Sequence, residues 1–408
     1  MSEEQIYCDH SATTPVAPEV VREMTRLSTG VWGNASSIHQ TGRNAKVELE
    51  HARERIAGSL NAARNEIFFT SGGTEADNFA LRGIVHALRD RGNHIITSVI
   101  EHEAVLRTCK SLEDEGFEVT YLQVDSNGTI FPDRVRDALT DSTILVSIMH
   151  ANNEIGTINP IEGIGEITEE HGIVLHTDAV QSYGKLPIDV RELSIDALSV
   201  SGHKIYGPKG IGFLYLSREI DAVPLLTGGS QERHLRAGTE NLPAIGGLAR
   251  AVETMLERRD DENRRLGRLT TELEQGLRER IPGSTVHGAP GNRVPGLTNV
   301  GFSGVDSESL VMNLDMQGIA VSSGSACSSG TVEPSYVLRA LGYDEKGAKT
   351  AIRISLGRSN TREQIPRIID AVAREVERIR NAGQSREPAS RQTVSSESND
   401  GEFVHEEL

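Results

Sequence analysis

The segment Glu66–Arg89 reads EIFFTSGGTEADNFALRGIVHALR and contains the unit from which the fold follows. Its first residues, Glu66–Thr70, have the composition of a short buried strand, and Thr74–Arg89 has the apolar spacing of a helix. A glycine turn joins the two. A strand that leads through such a turn into a helix is the first half of a crossover unit, in which the next strand runs parallel to the first.

The alternation of strand and helix signals continues as far as about residue 217. The further predicted strands are His94–Ser98, Phe117–Val124, Thr143–His150, Ile173–Asp178, Ala197–Ser201 and Gly210–Ser217. Helical patterns such as His102–Glu115 separate most of them. We therefore predict an α/β fold with a mainly parallel, seven-stranded sheet that helices cover on both faces.

The pattern changes after residue 217. A long stretch dense in Arg, Glu and Leu, Asn241–Arg280, predicts an amphipathic helix that connects two domains. Beyond it, Leu297–Phe302 and Ala351–Leu356 are the clearest strands, and Thr361–Arg380 is the last helix. This mixture predicts a smaller α+β unit after the large one.

The chain divides into three predicted parts. Residues 15–255 form the large domain, and residues 1–14 join residues 256–380 in a small C-terminal domain. Residues 381–408 are rich in Ser, Glu, Gln and Asn and have little to bury, which predicts a disordered acidic tail.

Composition excludes several classes of protein. The chain has 408 residues, of which 37% are hydrophobic, and its formal net charge of −17 argues against a nucleic-acid surface. No apolar run approaches the roughly 20 residues of a membrane span. The acidic start, Met1–Gln5, does not resemble a secretory signal. We therefore expect a cytoplasmic protein that binds neither nucleic acid nor membrane.

One lysine lies just after a predicted strand. Lys204 follows Ala197–Ser201 and precedes the turn Gly207–Gly210. In that place a lysine reaches into a cleft, where its amine can form a Schiff base with a carbonyl group such as that of pyridoxal phosphate. An exposed loop lysine beside a turn is the alternative that this stretch alone leaves open.

The glycine turn of the first unit is a candidate anion site. Free N–H groups and the helix dipole attract a phosphate, so Gly73 would contribute its N–H and Thr74 its hydroxyl. The turn is neither a Walker loop nor a dinucleotide fingerprint. An ordinary strand–helix turn with Thr74 as N-cap stays open as the alternative.

Three polar residues are candidates for contacts with a planar cofactor. Asp178 ends an apolar strand, at the edge of an open sheet where ligands bind, and would keep a pyridine nitrogen protonated. Gln181 would reach the phenolate oxygen of the same ring. His102, at the start of a helix, would stack on the ring and move protons. An Asp that caps the next helix and a structural His are the alternatives.

The three cysteines differ in their surroundings. Cys327 lies among small residues in the run VSSGSACSSG, residues 321–330, which indicates an accessible thiol. Cys8 and Cys109 have apolar neighbours, which predicts inert buried thiols. Three scattered cysteines are too few for a disulfide framework or a structural zinc site.

Taken together, these segments resemble the cysteine desulfurases, which are pyridoxal-phosphate enzymes of the aminotransferase class V type. The matching runs are Tyr7–Pro15, Gly33–His39, Thr70–Glu75, Glu101–His102, His150–Gly156, His176–Gln181, Ser201–Lys204, Gly207–Gly210, Arg236–Asn241, Ser323–Cys327 and Arg353–Gly357. The run that ends at Cys327 is similar to the long cysteine loop of the branch that serves iron–sulfur cluster assembly. Cys8 and His10 depart from the residues usual in the family, at positions without chemistry there.

The resemblance implies a fold of the pyridoxal-phosphate fold type I, a homodimer, and a set of site residues. The implied cofactor residues are Gly73, Thr74, His102, Asn153, Asp178, Gln181, Ser201, His203, Lys204 and Thr239. Thr239 would reach the phosphate bound by the neighbouring subunit. Asn34, Asn153 and Arg353 would bind the substrate, and Lys204, His102 and Cys327 would be catalytic.

The implied reaction converts L-cysteine into L-alanine and leaves a persulfide on Cys327. The sulfur then passes to an iron–sulfur scaffold or another acceptor, such as a tRNA-thiolation protein. No resident metal is implied, and a transient contact of Cys327 with a nascent iron–sulfur cluster stays open. The alternatives are a selenocysteine lyase or another class V enzyme that uses Lys204 and Asp178, a non-catalytic sulfur-carrier subunit, and a generic α/β binding domain.

Overall fold

The computed structural model describes residues 5–323 and 333–384. Its strands are β1 Ile6–Tyr7, β2 Ile67–Thr70, β3 His94–Ser98, β4 Glu118–Leu122, β5 Thr143–Ser147, β6 Val174–Asp178, β7 Ala197–Ser201, β8 Gly212–Leu216, β9 Ser284–His287, β10 Leu297–Phe302, β11 Ile319–Ala320, β12 Ser322–Ser323 and β13 Ala351–Ser355. Its helices are α1 Pro18–Gly30, α2 Gln40–Gly58, α3 Gly73–Ala87, α4 Glu103–Asp114, α5 Pro132–Ala138, α6 Ile161–His171, α7 Leu242–Arg280, α8 Ser307–Asp315, α9 Tyr336–Ala340, α10 Glu345–Ala348 and α11 Gln364–Gln384. Within this described part, every helix is too short or too polar to cross a membrane.

A seven-stranded sheet forms the centre of the larger part, with the strand order β2-β8-β7-β6-β5-β3-β4. Neighbouring strands are parallel except at β8, which is antiparallel to both β2 and β7. The prediction of an α/β fold with a mainly parallel, seven-stranded sheet is therefore confirmed. Strand β8 reverses direction because only residues 202–211 connect it to β7, too short a segment for a helical crossover.

Both faces of this sheet are buried, as a parallel sheet requires. Successive residues of a strand point to opposite faces, so adjacent positions enter different hydrophobic clusters. One cluster receives Ile96, Val146, Leu175, Leu198 and Phe213. The other receives Ile95, Leu145, Val174, Ala197 and Leu214. Six of the seven strands are therefore buried along their whole length, whereas the edge strand β4 begins at the exposed Glu118.

A second, antiparallel sheet has the order β12-β13-β10-β9, and a short parallel pair joins β1 to β11. Its hydrophobic core is separate from those of the large sheet and includes Ile6, Phe302 and Ile354. Helix α7 contributes to both regions, with Leu248 in the first core and Leu273 in the second. The domain limits at residues 15 and 255 stay predictions, and this separate core supports them.

Local details differ from the sequence predictions. Helix α11 continues to Gln384, so residues 381–384 are helical, whereas the tail was expected to begin at residue 381. Residues 385–408, the remainder of the predicted tail, lie outside the described residues. Cys8 and Cys109 are fully buried, and burial raises the pKa of each thiol to about 12, as expected for unreactive cysteines.

Candidate functional site

A cavity of about 290 Å³ lies at the edge of the large sheet where its parallel strands end. Its walls consist of residues from the strand ends, the starts of α3 and α4, and the second domain. These residues are Ser11, Ala12, Gly73, Thr74, Asp77, His102, Met149, Ala151, Asn153, Asp178, Val180, Gln181, Ser201, His203, Lys204 and Arg353. The structure thus brings together every predicted cofactor and substrate residue among the described ones except Asn34 and Thr239.

Lys204 extends from the turn after β7 into this cavity. Its Nζ donates to the carbonyl oxygens of Ser11 and Ala12, the second at 2.8 Å. Burial and, to a smaller extent, the nearby charge of Arg353 lower the pKa of Lys204 to about 8. A lysine with a lowered pKa has more of its amine in the neutral, nucleophilic form near neutral pH. The residue is therefore suited to attack a carbonyl group.

Asp178, at the end of β6, is 5% exposed and shares its surroundings with a second carboxyl group, that of Asp77. Burial raises the pKa of Asp178, while His102 and Lys204 oppose the rise. Burial and the neighbouring Asp178 raise the pKa of Asp77 as well. A cationic ring nitrogen in the cavity would offset this loss of hydration and hold Asp178 ionised.

The structure decides against Asp178 as a helix cap, because the residues after it form a turn and not a helix. Its Oδ1 accepts a hydrogen bond from the N–H of Val180 at 2.8 Å. This turn directs Gln181 back toward the cavity, where its Nε2 donates to the carbonyl oxygen of Ser11 at 2.9 Å.

The start of helix α3 faces the same cavity. Gly72 is its N-cap, with φ of +154°, and no side chain caps the helix, so the alternative of Thr74 as N-cap is wrong. A Cβ at Gly73 would lie 2.8 Å from Cγ2 of Val180, which leaves only glycine room beside the turn. First-turn N–H groups without a side-chain cap are a site for an anion. Ser201 and His203 line the cavity together with this turn.

His102 has two roles in the structure. It is the N-cap of α4, and its Nδ1 accepts a hydrogen bond from the N–H of Ala104 at 3.1 Å. In the neutral imidazole this leaves the proton on Nε2. The ring also lines the cavity, so the structural reading and the predicted cofactor contact are compatible.

Arg353 lies on β13 of the antiparallel sheet, and its side chain extends to the cavity. Its guanidinium donates to Oδ1 of Asp9 at 2.9 Å and to the carbonyl oxygen of Asn153 at 3.0 Å. Its Nε is buried and, within residues 5–323 and 333–384, has no hydrogen-bond partner. The side chain of Asn153 also has a buried Oδ1 without a partner in this part of the chain. Both residues thus retain hydrogen-bonding capacity toward a bound molecule.

Two predicted residues of the described part, Asn34 and Thr239, do not line the cavity, and a third lies outside that part. Asn34 is exposed in the loop before α2, where its Oδ1 accepts a hydrogen bond from the N–H of Ser36. Thr239 is exposed in the loop before α7. Cys327 lies outside the described residues, between Ser323 and Glu333. The roles predicted for these three residues stay predictions.

The described chain on either side of Cys327 ends close to the cavity. Ser322 pairs with Arg353 in the antiparallel sheet. After the interval, the hydroxyl of Ser335 donates to Oε2 of Glu154 at 2.6 Å, and that of Tyr336 donates to the carbonyl oxygen of Glu101 at 2.7 Å. Of these contact residues, Arg353 lines the cavity itself. Glu154 is next in sequence to the cavity residue Asn153, and Glu101 to the cavity residue His102.

Sequence reasoning did not identify Ser11, Ala12 or Asp77 as site residues. Ser11 and Ala12 act through backbone carbonyl groups, which leave no signal in a sequence. Asp77 lies on α3, one helical turn after Gly73. The signal for Asp77 was its spacing, because residues three to four apart share one face of a helix.

The cavity fits pyridoxal phosphate by its own groups. The uncapped start of α3 suits a phosphate, Asp178 suits a ring nitrogen, and the amine of Lys204 suits a carbonyl carbon. The buried oxygens of Asp77 and Asn153 that lack partners in the described chain leave polar contacts for a ligand to make.

Comparisons with known proteins agree with this reading. The family model for aminotransferase class-V matches residues 6–368. The chain is 50% identical over 376 residues to a protein of Methanosarcina thermophila named cysteine desulfurase IscS, covering 92% of this chain and 93% of that relative. A solved structure described as a NifS-like protein superposes with a TM-score of 0.86 at 36% identity, over 91% of this chain and 99% of its own. A structure of SspA in complex with cysteine gives a TM-score of 0.77 at 40% identity, over 86% of this chain and 98% of its own.

Proposed function

The chain belongs to the class-V aminotransferase family, in its cysteine desulfurase branch, and we propose that the cavity around Lys204 binds pyridoxal 5′-phosphate and L-cysteine with the residue roles predicted from the sequence. The protein is a pyridoxal-phosphate-dependent cysteine desulfurase, which is a sulfurtransferase. The observation that carries the residue assignment is the convergence of Lys204, Asp178 and the uncapped start of α3 on one cavity. An aminotransferase would need no thiol such as that of Cys327, and a sulfur carrier would need no cavity with Lys204, Asp178 and His102.

The cofactor residues divide according to the part of the molecule that they hold. Gly73, Thr74, Ser201 and His203 would bind the phosphate. Asp178 would face the ring nitrogen, Gln181 the phenolate oxygen, His102 the ring face and Lys204 the reactive carbon, while Asn153 would contact both cofactor and substrate. When bound, pyridoxal phosphate supplies a carbonyl group for the substrate amine and a ring that takes up electrons released at Cα.

Lys204 would act twice. Its Nζ would hold the cofactor at the carbonyl carbon, and with substrate bound its free amine would remove the proton from Cα of L-cysteine. The lowered pKa of Lys204 favours the neutral amine that both steps need. The ionised carboxylate of Asp178 would keep the ring nitrogen of the bound cofactor protonated, which would make the loss of the Cα proton easier.

Arg353 and Asn34 would bind the carboxylate of L-cysteine. Arginine binds a carboxylate through two parallel hydrogen bonds, and Arg353 is already oriented by Asp9 and the carbonyl group of Asn153. Asn34 is exposed on this chain and would complete the contact only when a second copy covers the loop before α2.

Cys327 would be the sulfur acceptor. Its thiolate attacks Sγ of the substrate, an S–S bond forms as the Sγ–Cβ bond breaks, and the electron pair returns to the carbon skeleton that leaves as L-alanine. His102, with its proton on Nε2, would move protons between the two thiols and the leaving carbon. The positions of Ser322 and Ser335 beside cavity residues support this assignment.

We also propose a homodimer in the cytoplasm that delivers sulfur to an iron–sulfur scaffold or a similar acceptor protein. Two large apolar side chains that flank Asn34 support the dimer, because Trp32 is 74% exposed and Ile38 is 91% exposed. Thr239 is exposed, and an ion pair between Arg236 and Glu75 binds its loop to the start of α3. From this place Thr239 would reach the phosphate site of the second copy.

The decisive experiment incubates the purified protein with pyridoxal phosphate, L-cysteine and a thiol reductant, and measures alanine and sulfide. Formation of both in equal amounts, without any keto acid, supports the proposal. Dependence of alanine formation on a keto acid would show an aminotransferase. Activity with L-selenocysteine but not with L-cysteine would show a selenocysteine lyase, and absence of turnover with intact cofactor binding would leave a sulfur-carrier role.

A further inference from the structure

Lys185 is a half-buried lysine behind the site cavity that takes no part in the reaction described above. It lies four residues after Gln181 in the segment between β6 and β7. Backbone bonds from the N–H of Lys185 to the carbonyl oxygen of Ser182, and from Tyr183 to Ala179, hold this segment in consecutive turns. Lysines are seldom withdrawn from water unless a carboxylate accompanies them. Yet no Asp or Glu of the described chain lies within ion-pair distance of Lys185.

A second, smaller cavity of about 50 Å³ lies beyond Lys204 and Ser11, which also line the site cavity. Lys185 faces this second cavity. The charged or titratable side chains that share it are Lys204, His10, Tyr183, Tyr206, Glu262 and Arg358. Glu262 is engaged by Arg358 at 2.7 Å, so it is not a partner of Lys185. Burial lowers the pKa of His10 to about 4, which leaves that ring uncharged at neutral pH.

Within the described chain, the side-chain amine of Lys185 makes its polar contact with the side chain of Gln181. Lys185 Nζ donates to Gln181 Oε1 at 3.3 Å, and Gln181 Nε2 donates to the carbonyl oxygen of Ser11 at 2.9 Å. The same carbonyl oxygen accepts from Lys204. An unbroken chain of hydrogen bonds therefore runs from Lys185 through Gln181 and Ser11 to Lys204.

The direction of these bonds determines which end of the Gln181 amide faces the site. In its protonated form Lys185 has only donors, so the group beside it is then the amide oxygen, as in the structure. The NH₂ group then lies on the other side, with one N–H on Ser11 and the second available to the site cavity. A phenolate oxygen is an acceptor and needs a donor. If the amide were reversed, Oε1 of Gln181 would face the carbonyl oxygen of Ser11, and two acceptors would oppose each other.

We propose that Lys185 is a positioning residue that fixes the orientation of the Gln181 amide, so that an N–H of Gln181 faces the phenolate oxygen of the bound cofactor. This inference rests on the proposed function of the cavity. The positive charge also polarises the amide and strengthens its N–H as a donor. Burial lowers the pKa of Lys185 to about 7, with added repulsion from Lys204 and Arg353.

The test compares Lys185→Met with Lys185→Arg in the holoenzyme and follows the visible absorption band of the bound cofactor as a function of pH. A nearby positive charge stabilises the deprotonated phenolate oxygen, and so does a hydrogen-bond donor on it. Both therefore lower the pKa of the proton that this oxygen shares with the Lys204 nitrogen. Lys185→Met should therefore raise the pKa of the spectral transition by about one pH unit, while Lys185→Arg, which keeps charge and donors, restores most of the wild-type value.

The same substitution in a Gln181→Ala background tests the route of the effect. If Lys185 acts through Gln181, Lys185→Met adds no further spectral shift there, because the two changes remove one interaction. An equal shift in both backgrounds, or no shift in either, would overturn the inference. If Lys185→Met fails to fold, Lys185→Gln replaces it, with folding checked by circular dichroism and cofactor affinity by fluorescence quenching of the apoprotein.

The outcome separates the two proposals. A wild-type protein that shows no visible band with pyridoxal phosphate contradicts the proposed function and this inference together. A wild-type protein that binds the cofactor and forms alanine, with a spectral pKa that Lys185→Met leaves unchanged, contradicts only the role of Lys185.

Discussion

The guanidinium of Arg353 donates to the carboxylate of Asp9 at 2.9 Å, across 344 residues of sequence. Strand β13 presents the arginine, and the segment after β1 presents the aspartate, so the second domain builds this wall of the cavity. Asp9 offsets part of the arginine charge and holds the guanidinium in the position from which it would bind the proposed substrate carboxylate.

We expect Arg353→Ala to raise KM for L-cysteine by about 10- to 100-fold, because a charge-assisted bond to the substrate carboxylate is lost. Cofactor binding, followed by the visible absorption band, should change little. Arg107→Ala is the matched control, since that arginine is 81% exposed and forms only a long contact with Glu103. An unchanged KM for Arg353→Ala would remove Arg353 from the substrate site.

Lys204→Ala should abolish both the visible band of the bound cofactor and the formation of alanine, since Lys204 is the one lysine among the described residues that line the cavity. Absorption spectroscopy and amino-acid analysis measure the two effects. Lys209→Ala, an exposed lysine in the same turn, should leave both unchanged. A normal spectrum for Lys204→Ala would disprove the assignment.

Cys327→Ser should retain the cofactor band and lose alanine formation, because a hydroxyl cannot accept sulfur as a persulfide. Mass spectrometry of the wild-type protein after brief reaction should show one added sulfur on Cys327. Cys109→Ser is the control, since burial raises the pKa of that thiol to about 12 and keeps it unreactive. Continued alanine formation by Cys327→Ser would mean that sulfur leaves without this thiol.

The lowered pKa of Lys204 predicts how cofactor uptake depends on pH. Only the free amine attacks a carbonyl, and its fraction rises as pH increases through the pKa of about 8. The rate of pyridoxal phosphate uptake by apoprotein should therefore rise with pH below about 8 and level off above it, as followed by stopped-flow absorbance. A rate that still rises toward 10.5, the value of an ordinary lysine, would show that the pocket does not lower the pKa.

A buried ion pair makes a prediction about stability. Arg53 on α2 donates to both carboxylate oxygens of Glu232, at 2.7 and 2.8 Å, and the two side chains are 3% and 2% exposed. Arg53→Met leaves a buried carboxylate unpaired and should lower the free energy of unfolding by about 3–5 kcal/mol in urea denaturation.

The control for this pair is Arg26→Met. Arg26 binds Glu48 at the surface and is 47% exposed, so its loss should cost less than about 1 kcal/mol. Equal costs for the two substitutions would show that the Arg53–Glu232 pair does not stabilise the fold.

The sequence by itself determined the large sheet and the edge at which most of the proposed site residues meet. Short apolar strands alternating with helices imply parallel pairing, and parallel strands end at one edge, so Asp178, Ser201 and the turn at Gly73 had to meet there. Lys204 follows one of these strand ends, which placed it in the same crevice. These inferences succeed because each depends on a local pattern and on one rule of topology.

Only the tertiary structure decided the contacts that arise between distant segments. The reversal of β8 follows from the short connection that precedes it. The contact between Arg353 and Asp9 follows from the packing of β13 beside the segment after β1. The carbonyl groups of Ser11 and Ala12 that hold Lys204, and the contact between Lys185 and Gln181, depend on where backbone and side-chain atoms lie in space. No spacing of residue types encodes such positions, because they are set by the packing of the whole chain.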